Sequence, residues 1–139
     1  MIYMKKTLCP FSKPIIGNWC QCQYANLDER CAGKMTCLKS ETYLAYCYEL
    51  VDLFKEKSHF VLGITQHEDE LTHMQLMKIR CGGLIGMQRI LSSENLASEV
   101  PDVLTTMHLA KQRYGNIAEF PFSEIVRDIK EFSHRKKKR

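Results

Sequence analysis

Five of the chain's seven cysteines, Cys9, Cys20, Cys22, Cys31 and Cys37, crowd into 29 of its 139 residues with the spacing C-x10-C-x-C-x8-C-x5-C. Thiolates are the ligands of structural zinc and of iron–sulfur clusters. The stretch that carries them has no other evident source of order. Up to about Leu38 it holds the turn formers Pro10, Pro14, Gly17, Asn18 and Gly33, and neither a helical nor a strand period persists. Four thiolates converging on one ion or cluster would fix several loops at once, because metal-binding free energy becomes folding free energy where no site exists in the unfolded chain. Cys47 and Cys81 fall instead on the apolar stripes of expected helices, where a cysteine packs as a small hydrophobe.

The spacing does not decide cleanly between an iron–sulfur cluster, of the [4Fe-4S] kind, and zinc; the cluster is the leading expectation, zinc the second, and thiol redox chemistry or no ligand the remaining readings. Structural zinc sites usually show a C-x2–4-C knuckle, and this chain has none. Pro10 follows Cys9 directly, and Phe11, Ile15, Ile16, Trp19 and Tyr24 are expected to wall a cluster off from solvent, one of the levers on its potential. Five candidates for four places leave the ligand set open. In an extended chain Cys20 and Cys22 point to opposite faces, so one of them is expected to ligate while the other packs or stays a reactive thiol. The Cys31-x5-Cys37 ending together with a basic C-terminus resembles the WhiB-like iron–sulfur regulators. Their C-x2-C is C-x-C here and the spacing before it is too short, so the chain is not assigned to them.

Other chemistry-bearing patterns have milder explanations. Glu70-x-x-His73 and Glu131-x-x-His134 have the form used by carboxylate-bridged di-iron bundles. The helix expected from Pro101 to Tyr114 supplies no glutamate, however, and His134 abuts the tail, so a solvated polar face is the expectation and a di-iron oxidase a further alternative. His67, Glu68, Asp69 and Glu70 suit the positive end of a helix dipole. Phosphate loops, H-E-x-x-H and nucleophile elbows are absent. Cys81-Gly82-Gly83-Leu84-Ile85-Gly86 is expected to mark a tight helix crossing or a helix break.

The elements that must position the thiols are helical. Leu44, Cys47, Val51 and Phe54 outline a helix capped by Ser40 and running to about Lys57, its face widened by Tyr43, Tyr46 and Tyr48. Thr65 and Glu68 have the form of a capping box, before a stripe of Leu71, Met74, Met77, Cys81 and Leu84 that kinks at Gly82 and Gly83. His59 to Ile64 reads either as a strand or as part of a helix. Pro101 and Gly115 bracket a third helix with Val103, Leu104, Met107, Ala110 and Tyr114 on one side. Pro121 opens a fourth with Phe122, Ile125, Val126, Ile129 and Phe132. The expected fold is all-α: a bundle of about four helices over 39–134, an irregular cysteine-rich segment over 1–38 packed against it, and a basic tail over 135–139, in one domain.

The formal charge is +4, and the five cations Arg135, Lys136, Lys137, Lys138 and Arg139 exceed it, leaving residues 1–134 at −1. The basicity is a tail rather than a face, which argues against a broad nucleic-acid surface while leaving phosphate contacts to those five residues. Met1–Lys13 lacks the apolar core of a secretory signal and no run nears the roughly 18 residues of a bilayer span, so a cytoplasmic, reducing location is expected, where thiols persist. The expected function is an iron–sulfur accessory protein serving electron transfer, redox sensing or docking to a larger protein partner. The alternative is a zinc-stabilised protein- or nucleic-acid-binding module. Enzymatic activity is not expected, since four thiolates leave a cluster no open position and no acid–base set is complete.

Overall fold

The computed structural model describes residues 8–27, 35–37, 41–64, 71–91 and 102–132. In chain order these form α1 (Ser12–Ile16), β1 (Ala25–Leu27), β2 (Met35–Cys37), α2 (Glu41–Leu62), α3 (His73–Leu91), α4 (Val103–Tyr114), a 3-10 turn (Ile117–Glu119) and α5 (Phe122–Glu131). The four longer helices make the expected bundle. The N-terminal stretch, where no periodicity was visible, contains α1 and a two-stranded antiparallel hairpin with Ala25 opposite Cys37 and Leu27 opposite Met35. Its strands are three residues long, too short for an alternating pattern to register.

Apolar spacing builds the helices as expected. Leu44, Leu50, Val51 and Phe54 of α2 are buried, and so are Met77, Ile79, Cys81, Leu84 and Met87 of α3. Met74 departs from its stripe at 60% exposed. The ambiguous stretch after His59 is helical up to Leu62, and Gly63, at φ +63°, ends the helix. Val103, Leu104, Met107 and Ala110 line α4, and Phe122, Ile125, Ile129 and Phe132 line α5 and its end.

Boundaries are set by side chains the spacing did not single out. Asp102 is the cap of α4, accepting from the Thr105 backbone N–H at 3.0 Å, so the helix opens at Val103. Gly115 stops it at φ +94°, a conformation open to glycine at little cost. Pro121 stands one place before α5, not within it. The Ser40 cap, the Thr65–Glu68 box, His67 to Glu70, Pro101, Cys31, His134 and the Arg135–Arg139 tail lie outside the described residues.

The most extensive helix pairing joins α3 to α5, and glycine permits it. A Cβ on Gly82 would stand 2.6 Å from the Ile129 Cα, and one on Gly86 would stand 3.0 Å from the Ile125 carbonyl oxygen. The helix does not break there; α3 runs continuously through the stretch. The glycines instead let backbone approach backbone, the close crossing anticipated from Cys81 to Gly86. Arg89 closes the same seam from outside with an ion pair to Asp128 at 2.7 Å, and the Lys78 ammonium donates to the Phe132 carbonyl at 2.7 Å near the end of α5.

Candidate thiol site

Backbone hydrogen bonds gather the N-terminal segment into one place. Leu8 bridges Thr36, and the Cys9 N–H donates to the Met35 carbonyl at 2.9 Å. Ser12, nearly buried, accepts from the Met35 N–H at 3.0 Å and donates to the Cys9 carbonyl at 2.7 Å. The Ala25 N–H returns to the Cys22 carbonyl at 3.0 Å, and Ala25 pairs with Cys37. Three predicted cysteines, from three stretches of chain, therefore share one neighbourhood.

Two attachments hold that neighbourhood on the helices. The Tyr48 hydroxyl of α2 donates to the Leu8 carbonyl at 2.7 Å. On the other side the Gln23 N–H donates to the Asp102 carboxylate at 2.8 Å, and the Val103 N–H donates to the Gln21 carbonyl at 2.8 Å. Burial raises the Asp102 pKa, but hydrogen bonds from Thr105 and Gln23 outweigh it and hold the carboxylate below its usual range.

Of the five predicted site residues, Cys9, Cys22 and Cys37 are half-buried and near enough to act on one another electrostatically. Cys20 goes elsewhere. It is 3% exposed, set in the main core, and the thiol acting on it most strongly is Cys81. The alternation of the C-x-C pair thus separates one inward cysteine from one that faces the other thiols. Cys47, which the helical stripe assigned to packing, packs on the core but also lies within electrostatic reach of Cys9, Cys22 and Cys37. Cys81 is 2% exposed among Trp19, Met77 and Phe132, as its stripe implied.

The apolar wall is partly as expected. Phe11 and Trp19 are buried, but Ile16 is 48% exposed. Trp19 packs edge-on against Phe132 with ring centroids 4.7 Å apart.

Burial favours the protonated thiol at Cys9, Cys20, Cys22, Cys47 and Cys81. Burial pushes Cys9 and Cys81 up to about 12, and it raises Cys20, Cys22 and Cys47 as well; neighbouring thiols add to the rise at Cys9, Cys20, Cys22 and Cys47. Arg80 of α3 lies among them. Burial lowers its pKa, while Tyr48, Cys81 and Cys9 act in the opposite sense. Its Nε is buried with no hydrogen-bond partner, an arrangement that costs free energy unless an acceptor is supplied. Sequence reasoning passed over Arg80; the available signal was a lone arginine inside the apolar run from Met77 to Gly86.

Among the described residues no three His, Cys, Asp or Glu side chains are arranged to hold a single metal ion. His73 and Glu131, members of the two Glu-x-x-His patterns, are both exposed. No described helix is long and apolar enough to cross a membrane. Comparison of the chain with protein-family models, curated proteins and solved structures finds no match.

Proposed function

We propose that the protein is an iron–sulfur accessory protein, most simply of the [4Fe-4S] kind, acting in electron transfer, redox sensing or docking to a larger partner. The observation that supports this reading is that Cys9, Cys22, Cys37 and Cys47, from separate stretches of chain, lie within electrostatic reach of one another, with Cys9 also within reach of the buried Arg80 guanidinium, whose Nε–H has no hydrogen-bond partner. Cysteines that merely fill space are neutral and give a buried cation nothing to pair with. A thiolate-ligated cluster is negative, and cation and cluster then offset each other's desolvation.

Such a cluster supplies a reversible one-electron site, and the chain's part is to hold it, shield it and tune it. Phe11 and Trp19 limit water on the core side. Arg80 adds positive charge, which favours the reduced state. The docking role is supported by a shallow apolar groove beside Tyr48, lined also by Leu44, Ala45 and Leu53, with Glu49 and Asp52 in its wall. A partner surface with an apolar centre and basic rim suits it.

Anaerobic purification followed by iron, acid-labile sulfide and zinc analysis tests the reading. Brown protein with iron and sulfide in equal amounts is the expected result. Stoichiometric zinc without iron would transfer the site to a zinc-stabilised binding module, and protein that takes up neither metal would reduce the thiols to packing.

A further inference from the structure

We propose that the groove on α2 has an internal occupant, residues 1–7 of the same chain, with Ile2, Tyr3 and Met4 covering its apolar floor and Lys5 and Lys6 facing Glu49 and Asp52. The proposal holds with or without a cluster. It adds a condition to the docking role: a partner takes the groove only by displacing the chain's own N-terminal stretch.

Helix geometry builds the groove. Leu44, Tyr48 and Asp52 recur at four-residue intervals along α2, and Ala45, Glu49 and Leu53 form the neighbouring row. Ala118 of the 3-10 turn stands across from them, and the space enclosed is about 660 Å³. Ala45, Tyr48 and Ala118 are exposed. Each row sets one carboxylate beside apolar side chains, so the groove suits an occupant that carries apolar side chains next to positive charge.

Attachment, length and charge single out the occupant. Leu8, where the described chain begins, is bound through its carbonyl to the Tyr48 hydroxyl at 2.7 Å. A residue that lines the groove thus holds the point from which residues 1–7 depart. From Leu44 to Leu53 α2 rises about 13.5 Å, and Ile2 to Lys6 extend to at most about 17 Å, enough to lie along it. The sequence joins Met1, Ile2, Tyr3 and Met4 to Lys5 and Lys6. Both lysines are close to the Leu8 tether in sequence, as Glu49 and Asp52 are to Tyr48 on α2, so the charges meet at the attached end and the apolar residues continue beyond it.

The other stretches outside the described residues do not fit. Residues 65–70 and 92–101 carry carboxylates and neither Lys nor Arg, and 133–139 carry cations and no apolar side chain. Residues 28–34 and 38–40 are fixed at both ends by the hairpin and α2. Exposed ion pairs stabilise little, so burial of Ile2, Tyr3 and Met4 supplies the hold and the lysines set the register.

The test uses the full chain as parent and three variants. One combines Ile2→Ser, Tyr3→Ser and Met4→Ser and keeps both lysines; one combines Lys5→Glu with Lys6→Glu; the third adds Glu49→Lys and Asp52→Lys to that pair. Methyl nuclear Overhauser spectra and zero-length carbodiimide cross-linking with peptide mapping are the readouts, with far-ultraviolet circular dichroism for folding. The parent should show contacts from the Ile2 or Met4 methyls to those of Ala45, Leu53 or Ala118, and cross-links from Lys5 or Lys6 to Glu49 or Asp52. Both should fall several-fold in the serine variant at parental helix content. Charge reversal on one side should weaken the methyl contacts, and reversal on both sides should restore them. A parent without those methyl contacts overturns the proposal and leaves the groove to an outside partner. Contacts that join only differently labelled chains in a mixed isotopic sample would give the groove to a second copy and overturn it as well. Cross-links unchanged in the serine variant would mean that the tether alone brings the lysines near, which also overturns it; each of these results leaves the cluster reading untouched.

Discussion

The Tyr48 hydroxyl and the Leu8 carbonyl, 40 residues apart in sequence, meet at 2.7 Å, and this bond ties the start of the cysteine-rich segment to the helix that carries Cys47. Tyr48→Phe removes it at a cost of about 0.5–1.5 kcal/mol. Because the bond holds one end of a short segment, the loss should fall locally. Amide exchange should quicken at Cys9 and its neighbours while α3 and α5 keep their protection; a uniform change across the protein would contradict this.

The seam between α3 and α5 should be intolerant of a single methyl. Alanine at Gly82 gains roughly 1 kcal/mol of helix propensity but drives a Cβ into the Ile129 backbone, and overpacking costs about 1–3 kcal/mol. Backbone is the less able to yield, so Gly82→Ala should lower the urea midpoint. Gly86→Ala, meeting the Ile125 carbonyl at 3.0 Å, should cost less. A raised midpoint for Gly82→Ala would mean the helices part freely.

Asp102 serves α4 and the site at once. Asp102→Ala removes a cap, worth about 0.5–2 kcal/mol, and also frees Gln23, so protease sensitivity in the N-terminal segment should rise along with the loss of stability. The sign with pH follows from its depressed pKa. The stabilisation is present above the ordinary value of 3.8 and is lost as pH falls below it. Asp102→Asn should therefore flatten the acid limb of a stability-against-pH curve, measured by urea denaturation; an unchanged limb would count against the coupling.

The metal-free protein should weaken in alkali. Cys9 and Cys81 rise from 9.0 to about 12 in the folded chain. Groups raised in this way contribute stability that is complete below pH 9 and is lost as pH climbs towards 12. Cys81→Ala should remove part of that alkaline limb. Protein loaded with a cluster has already given up the protons of its ligating thiols, so its alkaline loss should be smaller, and loading should release protons measurable in weak buffer. Identical alkaline limbs with and without metal would contradict ligation by these thiols.

Periodic features were legible from sequence and local chemistry only in part. Val51, Phe54, Leu84, Met107, Ile125 and Ile129 are core residues where their spacing put them, because a repeating apolar face has few ways to be buried. Glycines 82 and 86 marked a close crossing for a similar reason. Arg80 was hidden by the same periodicity, since a residue inside an apolar stripe reads as packing whatever lies across from it. The hairpin and the Asp102 contact with Gln23 depend on partners about 10 and 79 residues away, and no local window contains both members of such a pair.

The anchoring of the N-terminal segment also sets an order of events during synthesis. That segment leaves the ribosome before the long helices do, yet Gln21 and Gln23 wait for Asp102 and Val103, and Trp19 waits for Phe132. Translation of nearly the whole described chain must precede a stable thiol site. Until then the five early cysteines are exposed to oxidants and to stray metals, so a cell that makes this protein has reason to guard the nascent thiols with a chaperone.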